Sequence, residues 1–305
     1  RLHQQPPPEW MLDICDEKGM MVVAQSAITC NVPPRSLDYV NNSIAWTKEW
    51  IRRDRNHPSI VIWSAENEVY TPFRIRMYIE DLTRLHNTIL ALDSSRPILY
   101  EYGGDIHGLS PITSWHYACG YPNGWLNHGL YTLLDTWEKK MAQAPLSMEF
   151  DSGKPISYGE FEWAGGDLPL DQYAKKQAVK VRAYRALGID DLRPYRLDWT
   201  WYPTTLGMGP YNGWQPKQEA IDFMKRSLNP VAAFDKYYFQ HNWNPDSPQF
   251  DEGETAGRRF VIFNDQLSGT DVTVSWETRM GNMVYEEYSY TFSIEPGTFT
   301  ETDLE

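Results

Sequence analysis

The chain is poor in basic residues. Lys and Arg number 28 against 41 Asp and Glu, which gives a formal net charge of −13. Binding to a phosphate backbone needs clustered Lys and Arg, and the sequence has no such cluster. The sequence therefore predicts no nucleic-acid partner and favours a neutral or cationic substrate.

Cysteine is scarce, and long apolar runs are absent. Cys15, Cys30 and Cys119 are too few and too widely spaced for a disulfide framework or a CxxC metal site, so we expect buried thiols. No stretch approaches the roughly 20 apolar residues that span a bilayer, which predicts no membrane association. No GxGxxG or P-loop signature occurs, so we expect no redox or nucleotide cofactor.

Aromatic residues, in contrast, are abundant. The 305 residues include 13 Trp and 19 Tyr, more than core filling ordinarily requires. This favours a protein that stacks rings against a flat ligand such as a sugar. A Trp-rich core is the alternative explanation.

Short β-rich runs alternate with amphipathic segments from residue 10 to about 228. This pattern predicts βα units around a parallel sheet. A helix is predicted from the spacing of Tyr78, Leu82, Leu85, Ile89 and Leu92. The predicted strands are residues 20–25, 60–64, 97–102, 112–117, 155–159 and 195–201. Six such strands predict an α/β fold, an eight-stranded (β/α) TIM barrel that lacks its first one or two units.

The pattern changes after residue 230. Segments 259–264, 271–278 and 285–294 alternate apolar and polar residues, with turn signals at hairpin spacing. We therefore expect residues 1–228 to form the barrel and residues 229–305 to form an immunoglobulin-like β-sandwich. About 75 residues are few for its seven strands, so the sandwich is expected to be incomplete.

Two of the predicted strands end on glutamates. One runs from an apolar segment into Glu66, Asn67 and Glu68, and another ends on Glu160. Catalytic groups of TIM barrels lie at such strand ends. Cleavage of a glycosidic bond with retention needs two carboxyl groups about 5 Å apart. Glu68 and Glu160 are therefore predicted as a catalytic pair, and solvated loop acids are the alternative.

Residues 53–68, RDRNHPSIVIWSAENE, resemble the acid/base signature of glycoside hydrolase family 2, the β-galactosidase, β-glucuronidase and β-mannosidase family. Residues 154–160, KPISYGE, are similar to the strand that carries the nucleophile of the family. The resemblance implies that Glu68 is the acid/base, that Glu160 is the nucleophile and that Asn67 binds the 2-hydroxyl of the sugar. Glu162 remains a rival nucleophile, because Phe161-Glu162-Trp163 stands where the family often has Tyr-Gly.

The resemblance also implies supporting residues around this pair. Arg1 and His3 stand in the region where the family has an Arg and a His that support the acids, and His3 is a substrate-binding candidate with an ordinary loop residue as the alternative. Gln25 ends a strand where some members carry an acidic or histidine metal ligand, so no metal is predicted. Further substrate-binding candidates at strand ends are His116, Tyr117, Trp163, Trp199 and Trp201. His116 and Tyr117 could orient the nucleophile, and the tryptophans could form a sugar platform or pack in the core.

The sequence thus predicts a retaining glycosidase that cleaves terminal β-linked sugars by double displacement, with a preference for β-galactosides. An endo-acting polysaccharide hydrolase of the same clan and a non-catalytic carbohydrate-binding protein are the alternatives. The chain begins with Arg1, so we expect a piece of a longer parent whose N-terminal domains are its partners. The sequence does not decide whether the protein forms a homo-oligomer. It also leaves open whether the parent is secreted, periplasmic or cytoplasmic.

Overall fold

The chain folds into two compact units in a computed structural model. The structure describes residues 1–30, 35–71, 74–102, 104–116, 153–161, 189–194, 218–235 and 257–304, and the single residues 178, 181, 182, 184, 185 and 253. Of these, residues 1–116, 153–161 and 189–194 form the first unit, and the others form the second. The predicted domain boundary at residue 228 stays a prediction, because residues 195–217 lie outside the described part.

Two parallel sheets form the frame of the first unit. Its strands are β1 (Val22–Gln25), β2 (Ile60–Asn67), β3 (Tyr70–Thr71), β4 (Arg74–Ile75), β5 (Ile98–Glu101), β6 (Thr113–His116), β7 (Ile156–Phe161) and β8 (Asp191–Pro194). One sheet has the order β1-β2-β5 and the other the order β6-β7-β8, and all of these pairs are parallel. Strands β3 and β4 form a small antiparallel pair.

Three helices accompany the first sheet, namely α1 (Glu9–Lys18), α2 (Leu37–Asp54) and α3 (Ile79–Leu92). Helix α1 ends at Gly19, whose φ of 66° is a left-handed conformation that glycine adopts freely. Helix α2 begins at Ser36, whose hydroxyl accepts a hydrogen bond from the Tyr39 N–H.

The core of the first unit contains the buried faces of α2 and α3 together with apolar residues of the first sheet. Ile44 and Ile51 of α2 and Leu82 and Leu85 of α3 are buried at the spacings of three, four or seven that mark one helix face. They belong to one hydrophobic cluster with Trp63 of β2. This cluster packs against β1, β2 and β5, and the carboxyl ends of β2 and β5 carry part of the predicted site.

The described strands agree with the sequence prediction up to residue 161. Strands β1, β2, β5, β6 and β7 match the five segments predicted between residues 20 and 159, and α3 matches the predicted helix. The sixth segment, 195–201, lies outside the described residues, and β8 directly precedes it. The two sheets do not close into a barrel within the described part of the chain.

The second unit is mainly antiparallel. In its described part the elements with defined bounds are α4 (Gln218–Ser227), β9 (Val231–Asp235), β10 (Arg258–Asn264), β11 (Thr270–Met280), β12 (Met283–Ile294) and β13 (Thr298–Leu304). One sheet has the order β13-β10-β9, and β11 pairs with β12 as a hairpin. The three predicted segments are confirmed as β10, β11 and β12, whereas the β-sandwich stays a prediction. None of the described helices is both long and apolar enough to cross a membrane.

Candidate active site

The carboxyl ends of four strands bring five polar side chains together. These are Asn67, Glu68, Glu101, His116 and Glu160. Register pairs Asn67 with Glu101, and His116 with Glu160. The register shifts between Trp115 and His116, an irregularity of the kind that re-aims side chains next to active sites.

Glu68 follows β2 in a left-handed turn. Its φ is 58°, a conformation that costs a non-glycine residue about 1 kcal/mol or more. The turn is held by the Val69 N–H, which donates to Glu66 Oε2 at 2.8 Å, and by the Glu68 N–H, which donates to the Glu101 carbonyl at 3.1 Å. Burial raises the pKa of Glu66 well above its usual value, which favours a protonated carboxyl there.

The carboxylates of Glu68 and Glu160 lie close together. One oxygen of each is within 4.8 Å of the other and of a His116 nitrogen. His116 Nδ1 is 2.7 Å from Glu68 Oε1 and 3.6 Å from Glu160 Oε2. Glu160 is 4% exposed and the Glu68 side chain 19% exposed, so Glu68 is the more accessible of the pair. This separation is in the range used for retention rather than inversion.

Glu101 is a third, fully buried carboxylate at this edge. Oε1 accepts from Arg193 Nη1 at 2.6 Å and from Ser64 Oγ at 3.2 Å. Oε2 accepts from Ser114 Oγ and from His116 Nε2, both at 3.2 Å. Burial alone would raise the pKa of Glu101, but the charges of Arg1 and Arg193 outweigh burial and hold that pKa well below its usual value. Glu101 is therefore ionised.

His116 bridges two of these acids. Burial lowers the pKa of His116, but hydrogen bonds to Glu101 and Glu68 outweigh burial and raise that pKa above its ordinary 6.5. Burial would likewise raise the pKa of Glu68, but the hydrogen bond and charge of His116 leave it lowered. His116 is fully buried and stacks on Tyr102 at 5.4 Å. Its two nitrogens face Glu68 and Glu101, a placement that suits the orienting role expected from the sequence, and its contact with a sugar stays a prediction.

Arg1 connects the ends of several strands through one guanidinium. Its partners are Gln25 Oε1 at 3.2 Å, the Gly159 carbonyl at 2.6 Å, Asn67 Oδ1 at 2.5 Å, His3 Nδ1 at 2.9 Å and Glu101 Oε1 at 3.4 Å. The guanidinium also lies 3.8 Å from Glu160 Oε2. Arg1 therefore places a positive charge beside two of the three site carboxylates.

His3 lies at the rim of this group, with its Nδ1 3.8 Å from Glu160 Oε2. Burial and the charge of Arg1 lower the pKa of His3 to about 4. His3 is therefore neutral at pH 7, and its Nδ1 accepts from Arg1 rather than donating to Glu160.

The amide groups of Asn67 and Gln25 have defined orientations. Arg1 and Gln25 Nε2 both donate to Asn67 Oδ1, which leaves Asn67 Nδ2 as the group that can donate to a ligand. Gln25 Oε1 already accepts from Arg1 and from the Gln4 N–H. Because a guanidinium occupies the space beside Gln25, this position does not fit a magnesium ligand.

A second cluster of ligand-type groups lies away from these strands. Single atoms of Asp13, Asp16 and His57 lie within 4.8 Å of one another. The Asp16 carboxylate already accepts from His57 Nδ1 at 2.7 Å and from the Ser59 N–H at 2.8 Å. We interpret this cluster as a structural link between α1 and the turn before β2. The predicted absence of a metal stays a prediction.

The structure thus brings together Glu68, Glu160, Asn67, His116 and His3 from the sequence-based set. The other candidates, Tyr117, Glu162, Trp163, Trp199 and Trp201, lie outside the described residues. Sequence reasoning missed Glu101 and Arg193. Glu101 could have been found, because it ends β5 just as Glu160 lies near the end of β7. Arg193 was missed because it lies on β8, just before the segment 195–201 that was predicted as the strand.

Known proteins resemble this chain in sequence and fold. The β-glucuronidase of Pongo abelii is 26% identical over 206 residues, which cover 63% of this chain and 30% of that enzyme. The β-glucuronidase of Rattus norvegicus is 30% identical over 134 residues, 40% of this chain and 20% of that enzyme. The matched part of this chain therefore spans less than a third of these relatives.

Two solved structures share the fold at low sequence identity. The β-glucuronidase of Ruminococcus gnavus has a TM-score of 0.54 at 20% identity, with 74% of this chain and 44% of that chain covered. An FMN-binding β-glucuronidase from Facaelibacterium prausnitzii L2-6 has a TM-score of 0.54 at 14% identity, with 100% of this chain and 50% of that chain covered.

The family comparison covers the part of the chain that carries the site. The family model described as "Glycosyl hydrolases family 2, TIM barrel domain" matches residues 1–202, about two thirds of the chain. This range contains all the site residues described above. The chain therefore belongs to glycosyl hydrolase family 2, and its residues 1–202 correspond to the TIM barrel domain of that family.

Proposed function

We propose that this protein is a retaining glycosidase that removes a terminal β-linked sugar by double displacement. The observation that carries the proposal is the separation of the Glu68 and Glu160 carboxylate oxygens, at most 4.8 Å. Retaining enzymes hold their two carboxyl groups about 5 Å apart, whereas inverting enzymes leave about 6.5 Å or more for a water molecule.

The two carboxylates have different roles in the proposed mechanism. Glu160 attacks the anomeric carbon while Glu68 protonates the departing glycosidic oxygen, which leaves a covalent glycosyl-enzyme. Glu68 then takes a proton from water as the water displaces Glu160. Glu160 suits the nucleophile because Arg1 Nη2 lies 3.8 Å from its carboxylate and favours the ionised form.

Asn67 is assigned to the 2-hydroxyl of the sugar. Its Nδ2 is the amide group left to donate, because Arg1 and Gln25 both donate to its Oδ1. A hydrogen bond to the 2-hydroxyl strengthens in the oxocarbenium-like transition state. Loss of Asn67 should therefore lower kcat more than it raises KM.

We favour a neutral sugar of the β-galactoside type as substrate. A glucuronide carries a carboxylate that would need a free cation in the site. Among the described site residues, Arg1 and Arg193 already bind Glu101, and His3 is neutral at pH 7. A β-glucuronide is the second candidate, because the relatives reported above are β-glucuronidases.

A panel of nitrophenyl glycosides tests the function and separates these sugars. The purified protein is assayed on β-galactoside, β-glucuronide and β-mannoside substrates, and on a polysaccharide for the endo-acting alternative. The expected result is turnover of the β-galactoside. Turnover of the β-glucuronide alone would show that a glucuronide, and not a galactoside, is the substrate. Binding of sugars without turnover of any substrate would favour the non-catalytic alternative.

Azide rescue tests the two carboxylate roles. Glu160→Ala should lose at least about 10⁴-fold of kcat, and added azide should restore turnover with an α-glycosyl azide as product. Glu68→Ala is the matched comparison, since azide should there give a β-glycosyl azide. The same product configuration from both variants would contradict the assignment.

A further inference from the structure

The proton that Glu68 donates in the proposed acid step needs a source within the site. Glu68 must deliver a proton to the leaving group, yet its pKa is lowered, mainly because the hydrogen bond and charge of His116 outweigh burial. A carboxylate that is ionised before catalysis needs a nearby donor from which it can take a proton. The His116 Nδ1–Glu68 Oε1 contact of 2.7 Å is short enough for that transfer.

The contacts of His116 define its protonation. Each ring nitrogen faces a carboxylate oxygen, Nδ1 towards Glu68 at 2.7 Å and Nε2 towards Glu101 at 3.2 Å. An ionised carboxylate only accepts, so both nitrogens donate when both acids are ionised, and His116 is then an imidazolium. A neutral His116 can donate to only one of the two acids.

We propose that Glu68 and His116 share one proton, and that Glu101 is the positioning residue that keeps the Nε2–H of His116 in place so that only the Nδ1 proton moves to Glu68. This proposal rests on the hydrolase function proposed above. It assigns Glu101 a role that acts through His116 and not through contact with the sugar.

Glu101 is suited to this role because it is ionised and its position is fixed. Arg193 Nη1 binds its Oε1 at 2.6 Å, and Ser64 and Ser114 each donate to one of its oxygens. Its Oε2 occupies the space next to Gly159 where a side chain of β7 would otherwise lie. The carboxylate therefore cannot turn away from His116 without losing several buried hydrogen bonds.

The charges around His116 favour a single mobile proton. The carboxylates of Glu101, Glu68 and Glu160 favour a protonated ring, and burial and the positive charge of Arg1 oppose it. The titratable and charged groups around the ring are Glu68, Glu101, Glu160, Arg1, His3 and the stacked Tyr102, and Arg193 acts on it through Glu101.

The proton balance closes over both steps. In the first step the Nδ1 proton of His116 passes to Glu68 Oε1, and a proton on the Glu68 carboxyl passes to the leaving oxygen. His116 is then neutral, with its remaining proton on Nε2 directed at Glu101. In the second step Glu68 takes a proton from the attacking water, and this proton returns to the shared Glu68–His116 bond. One water is consumed and no other reactant is required.

The test compares substrates that need acid assistance with substrates that do not. The purified protein and its Glu101→Gln variant are assayed on methyl and 2,4-dinitrophenyl glycosides of the sugar that the panel identifies. We expect kcat/KM of the variant to fall at least about tenfold on the methyl glycoside and less than about threefold on the dinitrophenyl glycoside. The basic limb of the pH profile should shift to lower pH, because removal of the Glu101 charge makes the shared proton easier to lose.

A second variant keeps the proposal falsifiable if Glu101→Gln does not fold. His116→Gln removes the proton donor itself and should show the same dependence on the leaving group. An equal loss on both substrates, with an unshifted pH profile, would overturn the role of Glu101 and leave the hydrolase function intact. Absence of turnover of any substrate by the unsubstituted protein would instead contradict the proposed function.

Discussion

At the scale of single residues, Gly159 determines whether the buried charges fit. A Cβ at this position would lie 1.9 Å from Glu101 Oε2 and 2.9 Å from His116 Nε2. Gly159→Ala must therefore displace Glu101, and with it His116. We expect kcat to fall by at least about tenfold, since displacements of about 1 Å in an active site can cost 10²-fold.

Steady-state kinetics and thermal unfolding of Gly159→Ala check this expectation. Gly257→Ala is the matched control, because a Cβ there meets no atom within 4 Å. In the double variant Gly159→Ala/Glu101→Ala the shorter side chain at position 101 removes the clash with the new Cβ. Its Tm should therefore lie above that of Gly159→Ala, whereas its kcat should not rise. Wild-type kcat in Gly159→Ala would mean that Glu101 and His116 can move without consequence.

Cys30 offers a chemical probe of the same site. Its thiol is half-buried and hydrogen bonds to the Glu68 carboxylate. Alkylation would place a larger group beside Glu68, so iodoacetamide should abolish turnover. Cys30→Ser should keep its activity in the presence of the reagent, and rapid loss of activity in that variant would show that another thiol is responsible.

The proximity of Glu68 and Glu160 was predictable at this scale, and the residues that organise this pair were not. Glu68 and Glu160 lie at the ends of apolar strands, and that position together with the family resemblance predicts their roles. Glu101 has the same signal but is buried by side chains from β2, β6 and β8 that only the fold brings together. Sequence spacing does not report such contacts.

At the scale of secondary structure, Asp93 fastens the end of α3 to the neighbouring strand β2. It accepts hydrogen bonds from Trp63 Nε1, Arg96 Nη1 and the Ser95 N–H. Burial would raise the pKa of Asp93, but these hydrogen bonds outweigh it and lower that pKa from 3.8 to about 2. The shift corresponds to roughly 2 kcal/mol of stability.

Asp93→Asn should therefore lower the free energy of unfolding by roughly 2 kcal/mol at pH 7. Because the folded pKa of Asp93 is lowered, this contribution is present above pH 3.8 and is lost as the pH falls towards 2. Urea unfolding of both proteins at several pH values measures the difference, with the exposed Glu49→Gln as control. If the difference in the free energy of unfolding does not decrease in acid, Asp93 contributes through packing and not through its charge.

Strand positions were predictable to within two or three residues at most ends, and strand pairing was not. Apolar runs identified β1, β2, β5, β6 and β7. The short strands β3, β4 and β8 were missed, and so were β9 and β13, each of which pairs with β10. Closure of the barrel and formation of the sandwich stay predictions, since the described sheets do not close.

At the scale of the whole molecule, the Glu68–His116 pair should shape the dependence of stability on pH. The pKa of His116 is raised above 6.5, so its contribution is complete below that value and is lost as the pH rises through the raised pKa. The pKa of Glu68 is lowered below 4.5, so its contribution is present above that value and is lost in acid. The pair therefore stabilises most between pH 4.5 and 6.5.

Thermal unfolding of the wild type and of His116→Asn from pH 5 to 9 tests this window. The difference in Tm should be largest near the acidic end of this range and should decrease above neutrality, because wild-type His116 then loses its proton. A constant difference across the range would show that His116 contributes through packing alone.

The guanidinium of Arg1 has a consequence for any redesign of this site. It binds groups of β1, β2, β5 and β7 at the same time. Replacement of one of these partners therefore changes the alignment of the guanidinium on the other three. Double-mutant cycles between residues of different strands should show non-additive coupling even where those residues do not touch. Specificity at this site would then have to evolve by concerted changes on several strands rather than by independent steps on each.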